Sequence, residues 1–221
     1  EAKSIDDLQT LLARVGRQIA FSLDSTASRA EHSLTHDKPR FAFFQVFQPR
    51  GGGKRQAPTF DVIAPGVAKH EEEIVLAPGA EYGLPIAPGT LQNLKKCPIG
   101  DRNWTDESRE LFIRLLASGP ALLNVWEDID FIDVPGKLIP EWLGVRNRPS
   151  ASAAHRYTID RHMVEVVTRL GRETPSGGRY DDRHYEALLL AGILHDIGKR
   201  PGVANHAAEG ARHATVVVER M

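Results

Sequence analysis

The sequence is short of the features that would confine it to a special class. Of 221 residues only Cys97 is a cysteine, so no internal disulfide can form and nothing calls for an oxidising compartment. Excess charge is missing too: 28 basic against 29 acidic residues leave a net charge of −1. A general nucleic-acid binder needs a basic excess to displace counterions, so that class is set aside. The apolar stretch 187–194 is far too short to span a bilayer. The opening Glu1-Ala2-Lys3-Ser4-Ile5-Asp6-Asp7 has no apolar core of a signal peptide and no initiating Met. The expectation is an interior piece of a longer cytoplasmic protein. What is present is ordinary globular material, 41% hydrophobic and 26% charged, with enough length to bury a real core.

Helical periodicity dominates the pattern. Ser4 with Asp7 three residues on makes a capping-box-like start. Leu8, Leu11, Leu12, Val15, Ile19 and Leu23 then form one apolar stripe, with Arg14, Arg17 and Gln18 on the opposite face. The stripe reads as a packing face against a neighbouring domain. Residues 38–55 are basic, hold Gly51-Gly52-Gly53 and carry Phe41, Phe43, Phe44 and Phe47; they read as a solvated loop with anchoring aromatics. Val62-Ile63 and Ile74-Val75-Leu76, either side of Pro65-Gly66, suggest a small β element, with Glu71-Glu72-Glu73 on a solvated edge.

Pro88 opens a short helix through Leu91 and Leu94. Thr105-Asp106-Glu107 starts another that buries Leu111, Phe112, Leu115 and Leu116 and stops at Gly119-Pro120. Leu122, Leu123, Trp126 and Ile129 begin a further helix, and Arg146 to Pro149 read as an exposed linker. Trp104, Trp126 and Trp142 are expected to stitch these middle helices to the helices of the last third.

The last third carries the chemistry. Six of the nine histidines fall between His155 and His213. Residues 185–199 read as one strongly apolar helix interrupted by an adjacent His195-Asp196 pair and ended by Gly198. Burying an imidazole and a carboxylate among leucines is costly unless something compensates, and a divalent cation does so. His162 lies on an earlier helix and His206 beyond the pair, so facing helices can bring ligands to one ion. Lys199, at the helix exit, is placed to meet a phosphate. His155, His184, His213 and Arg156 read as surface or structural residues.

Three strings carry a resemblance: HRYTIDRH (155–162), LLLAGILHDIGK (188–199) and NHAAEG (205–210), preceded by LASGPALLNVW and LIPEWLGVRNRP. They resemble the HD superfamily of metal-dependent phosphohydrolases, and more closely the HD domain of the bacterial PII uridylyltransferase/uridylyl-removing enzymes. Arg161 stands where many relatives have Glu, and Asn205 where many have Asp. The resemblance implies metal ligands His162, His195, Asp196 and His206, with His195 and Asp196 catalytic and Lys199 binding substrate. It implies a divalent metal, Mg or Mn first and Fe or Zn after them, with PII signalling protein and UMP or UTP as partners. It also implies a further His and a late Asp ligand beyond the last string, and a nucleotidyltransferase signature that these residues lack.

The expected architecture is mostly α. Residues 1–150 form a helical linker region with a small β element, and 151–221 begin an HD-type helical bundle, incomplete at its C-terminal end. The expected function is the uridylyl-removing half of a bifunctional enzyme. The alternatives are an HD phosphohydrolase acting on small nucleotides and a non-catalytic scaffold. Neither a nucleic acid nor a membrane is an expected partner.

Overall fold

A computed structural model of the chain describes residues 4–34, 67–70, 73–76, 86, 88–96, 104–150, 157–171 and 182–221. The basic stretch 38–55, Val62-Ile63, Cys97, His155 and Arg156 lie outside the described residues. Among those described the architecture is mostly helical, and no helix is long and apolar enough to cross a membrane.

Helix α1, Ile5–Leu34, starts where its cap signal stands: the Asp7 amide donates to Ser4 Oγ at 3.1 Å. Strands β1, Val67–His70, and β2, Glu73–Leu76, form an antiparallel hairpin in which Val67 faces Leu76. Helix α2, Pro88–Lys96, buries Leu91 and Leu94. Helix α3, Asp106–Leu116, is capped by Thr105, whose hydroxyl accepts from the Ser108 amide at 3.1 Å, and it buries Leu111, Phe112, Leu115 and Leu116. Gly119 then adopts φ 62°, a conformation that suits glycine, and turns the chain into α4, Ala121–Phe131. The short α5, Val134–Leu138, and a 3-10 turn, Pro140–Gly144, follow. Three longer helices complete the chain: α6, Ile159–Leu170; α7, Asp182–Leu194; and α8, His206–Arg220.

One continuous core runs through α2 to α8. Helix α6 packs along α7, and α4 packs against α6. Gly192 makes the first contact close: a Cβ there would sit 2.7 Å from Leu170 Cδ1 and 3.1 Å from Val167 Cγ2. Trp126 meets fully buried Trp142 edge to face at 5.3 Å. Trp104 packs edge-on against Phe112 at 5.1 Å, and its amide donates to the Arg220 carbonyl at the end of α8 at 2.9 Å. Arg220 in turn forks onto the Glu141 carboxylate at 3.0 and 2.7 Å.

One reading from sequence is left open and one is corrected. The apolar stripe of α1, expected to face a neighbouring domain, is turned away from the described body. Ile5, Leu8, Leu11, Leu12, Val15, Ile19 and Leu23 are all exposed. The opposite face docks instead: Phe21 stacks on Phe131 at 3.9 Å, and Arg17 reaches the buried carboxylates Asp130 and Asp160. Two buried carboxylates need a cation more than a closed surface needs another leucine, and that fixes the roll of the helix. The corrected reading is the exposed linker at 146–149. Arg146 Nε donates to Asp130 Oδ1 at 2.9 Å, and Asn147, buried at φ 58°, donates its amide to Asp160 Oδ2 at 2.9 Å.

Candidate metal centre

The expected helix over 185–199 ends at Leu194, so the His-Asp pair lies in the turn beyond α7 rather than within it. Two tight turns shape it: the Ile197 amide donates to the Leu194 carbonyl and the Lys199 amide to the Asp196 carbonyl, each at 3.0 Å. Ile197, with no exposed surface, anchors the turn to the core. The pair is thereby lifted out of the leucines, which removes most of the burial cost that a continuous helix imposes.

His195 Nδ1 lies 2.9 Å from the Gly192 carbonyl oxygen, one of those left unpaired where the helix ends. A proton on Nδ1 donates there and leaves Nε2 facing Asp196 at 3.4 Å. His162 comes from the adjacent helix α6, with Nε2 3.9 Å from the same oxygen, Asp196 Oδ2. The two imidazoles meet edge to face at 5.2 Å. Lys199 Nζ donates to Asp196 Oδ2 at 2.8 Å. Three nitrogen groups from two elements thus surround one carboxylate oxygen.

Burial and hydrogen bonding pull the charges of the site in opposite directions. Partial burial works against the Asp196 charge, yet hydrogen bonds from His195 and Lys199 hold its carboxyl well below the usual range. The hydrogen bond to Asp196 raises the His195 pKa, against some loss from burial. The site therefore holds a carboxylate with cationic groups drawn onto it, and a divalent ion can take over that role.

His162, His195 and Asp196 each offer one ligand atom, and these atoms lie within 4.8 Å of one another. Two imidazoles and a carboxylate suit a divalent transition ion and leave coordination positions open. His206 is not among the converging groups. It opens α8, exposed, with Nδ1 3.4 Å from the Gly198 carbonyl oxygen. The reason is the tight seat of α8: a Cβ on Gly198 would lie 2.1 Å from the His206 carbonyl oxygen, so the two backbones already touch. Lys199 stands at the rim, but as partner of Asp196. His213 is buried and pairs with Glu209 at 2.8 Å, and His184 is exposed.

Sequence reasoning missed a second constellation, buried Asp160 and Asp130 bridged by Arg17, with Arg146 on Asp130 as well. Asp160 lay inside the HRYTIDRH string. An acid two residues before a candidate ligand histidine on a helix start was the available signal, but nothing marked Arg17 as its partner.

No family model and no solved structure matches the chain. Sequence comparison does find relatives. The chain is 31% identical to the bifunctional uridylyltransferase/uridylyl-removing enzyme of Streptomyces coelicolor over 97% of its own length. It is 29% identical to the protein of the same description from Mycobacterium tuberculosis, also over 97% of its length. A Corynebacterium glutamicum relative, again so described, is 30% identical over 66% of the chain. The chain spans 27% of the length of the first two and 20% of the third.

Proposed function

This chain is homologous to one stretch of the bifunctional uridylyltransferase/uridylyl-removing enzymes, and on that premise we propose that it carries a metal-dependent phosphodiester hydrolase site, the uridylyl-removing half of such an enzyme. The observation that supports this reading is the convergence within 4.8 Å of His162 from α6 with His195 and Asp196 from the turn after α7. Residues 151–221 would then be the start of an HD-type domain, and 1–150 the helical region leading into it. The substrate would be a UMP group esterified to a tyrosine of a PII signalling protein.

A divalent ion bound there supplies a Lewis acid that lowers the pKa of water and draws charge from a phosphoryl oxygen. The two imidazoles favour Mn, Fe or Zn over Mg, which prefers oxygen donors. His162 and His195 present Nε2 toward Asp196, and Asp196 supplies the anionic charge that makes the pocket selective for a cation. The contact from His195 Nδ1 to the Gly192 carbonyl holds the ring in that orientation. With Asp196 engaged by such an ion, the Lys199 ammonium, which now donates to Asp196 Oδ2, would be available to a phosphoryl oxygen. Water adds to phosphorus, the bond to the tyrosyl oxygen breaks, and UMP and tyrosine leave. A phenol pKa of about 10 makes that leaving group stable enough to depart without a strong acid beside it.

The test has two steps. Elemental analysis of the purified chain should find bound Mn or another divalent ion, lost in His195→Ala; no metal in the wild type would favour the scaffold reading. The longer protein, incubated with uridylylated PII and with free nucleotides, should release UMP from the former. Turnover of free nucleotides alone would reassign the site to a small-nucleotide phosphohydrolase.

A further inference from the structure

Helix α6, which carries His162, is gripped at its first turn by a residue far away in sequence. Arg17 on α1 donates from Nη1 to Asp160 Oδ2 at 3.0 Å and to Asp130 Oδ2 at 3.2 Å. Its Nη2 donates to Thr158 Oγ1 at 3.0 Å. Thr158 is the N-cap of α6, but its side chain makes no cap hydrogen bond to the helix; the hydroxyl is engaged by Arg17 instead. The Thr158 carbonyl accepts the His162 amide at 2.8 Å, so the turn Arg17 grips is the one His162 closes.

Asp160 and His162 are two residues apart, which sets them about 200° apart around the helix axis. Asp160, 1% exposed, faces Arg17 and the Asn147 amide, while His162 faces α7. Asp160 is therefore a rotational stop on the side away from the cluster. With side-chain tips about 6 Å from the axis, a roll of about 20° moves the His162 ring by about 2 Å. That is enough to break up ligand atoms that lie within 4.8 Å of one another.

We propose that Arg17 is a positioning residue for the hydrolase site: by clasping Thr158 and Asp160 it fixes the rotation of α6 and so the place of His162. The inference rests on the metal-site reading of His162, His195 and Asp196. It makes α1 part of the site through Arg17, whose partners are Thr158, Asp160 and Asp130 rather than the ligands, and it predicts that changes at Arg17 are felt at His162 before they are felt in the core.

The experiment uses the 221-residue chain with Arg17→Gln, Arg17→Lys and Thr158→Val. Asp130 keeps Arg146 and Asp160 keeps the Asn147 amide in Arg17→Gln, so the variant retains partners for both carboxylates. Nitrogen-detected spectra of the histidine rings in metal-free protein should show the His162 resonances displaced in Arg17→Gln, less so in Thr158→Val, and returned toward wild type in Arg17→Lys. Calorimetric titration with Mn2+ should show affinity reduced about tenfold or more in Arg17→Gln, the usual scale for losing support behind a ligand. His162 resonances unmoved in a folded Arg17→Gln protein overturn the proposal, whatever the metal does. A wild type that takes up no Mn2+ while its His162 resonances still respond to Arg17 defeats the metal reading and leaves the positioning role standing. Thr158→Val carries the ring test if Arg17→Gln fails to fold.

Discussion

Asp196 is the residue on which the site turns, since His162, His195 and Lys199 all address its Oδ2. Replacing it with Asn keeps the shape and removes the charge. Mn2+ affinity, measured by titration calorimetry, should then fall by at least about tenfold, with Lys199 left facing a neutral group. The same pairing dictates a pH dependence. Asp196 raises the His195 pKa, so a ligand nitrogen gives up its proton less readily, and Mn2+ binding should weaken as pH drops below neutrality. Asp128 behaves in the opposite way to Asp196. Burial pushes its pKa up to about 6, only partly offset by the Ile86 amide that it accepts at 3.2 Å. Its folded-state value exceeds its unfolded one, so the fold loses stability as pH rises from about 4 to about 6 and carries the full cost above that. Asp128→Asn keeps an acceptor for Ile86 and removes the charge. It should stabilise the chain by on the order of 1–2 kcal/mol at about pH 8, with the gain nearly gone at about pH 4. Urea unfolding of the two proteins across that range reads the difference directly.

At the scale of elements, α7 and α8 show how closely the site is framed. Gly198 lies between them, and a Cβ there would meet the Gly210 amide nitrogen at 2.3 Å as well as the His206 carbonyl. Both are backbone atoms that cannot swing aside. Gly198→Ala should therefore destabilise by about 2–3 kcal/mol, as overpacking does, and displace α8 from the His-Asp turn. A lower urea midpoint with altered His206 resonances checks this. The glycine was legible in sequence as a helix stop, but its reason was not: it admits the next helix. Much else among the elements could be read in advance. The starts at Ser4 and Thr105, the buried faces of α2 and α3 and the break at Gly119 come from caps and periodicity, which are local. The reading of 185–199 as one helix failed because apolar content alone cannot tell a last helical turn from the tight turns after it. His206 stands apart from the cluster for a related reason: spacing in sequence says nothing about which way a residue at a helix start faces.

Across the whole molecule, what sequence could not supply is long-range pairing. His162 and the His195-Asp196 pair were legible as partners because the resemblance joined them, and the structure brings them together. Arg17 with Asp160, Asn147 with Asp160, and Arg220 with Glu141 have no such signal, since an ion pair leaves no periodicity behind. These links tie the first helix, the middle of the chain and the last helix into one body. Burial works against the Glu141 charge, yet hydrogen bonds from Arg220 keep its pKa below the usual value, so that tie holds above the normal carboxylate range and loosens as acid protonates Glu141. The docking of α1 by its charged side has a further result. Seven aliphatic side chains are left in water along one edge, and none of them contributes to the body they ride on. Leu12→Gln with Ile19→Gln should thus leave the melting temperature almost unchanged while sharply cutting the fluorescence of a bound naphthalene-sulfonate dye. The charged face thus ties α1 to the chain, while its aliphatic edge keeps the exposure that a packing face for a neighbouring domain requires.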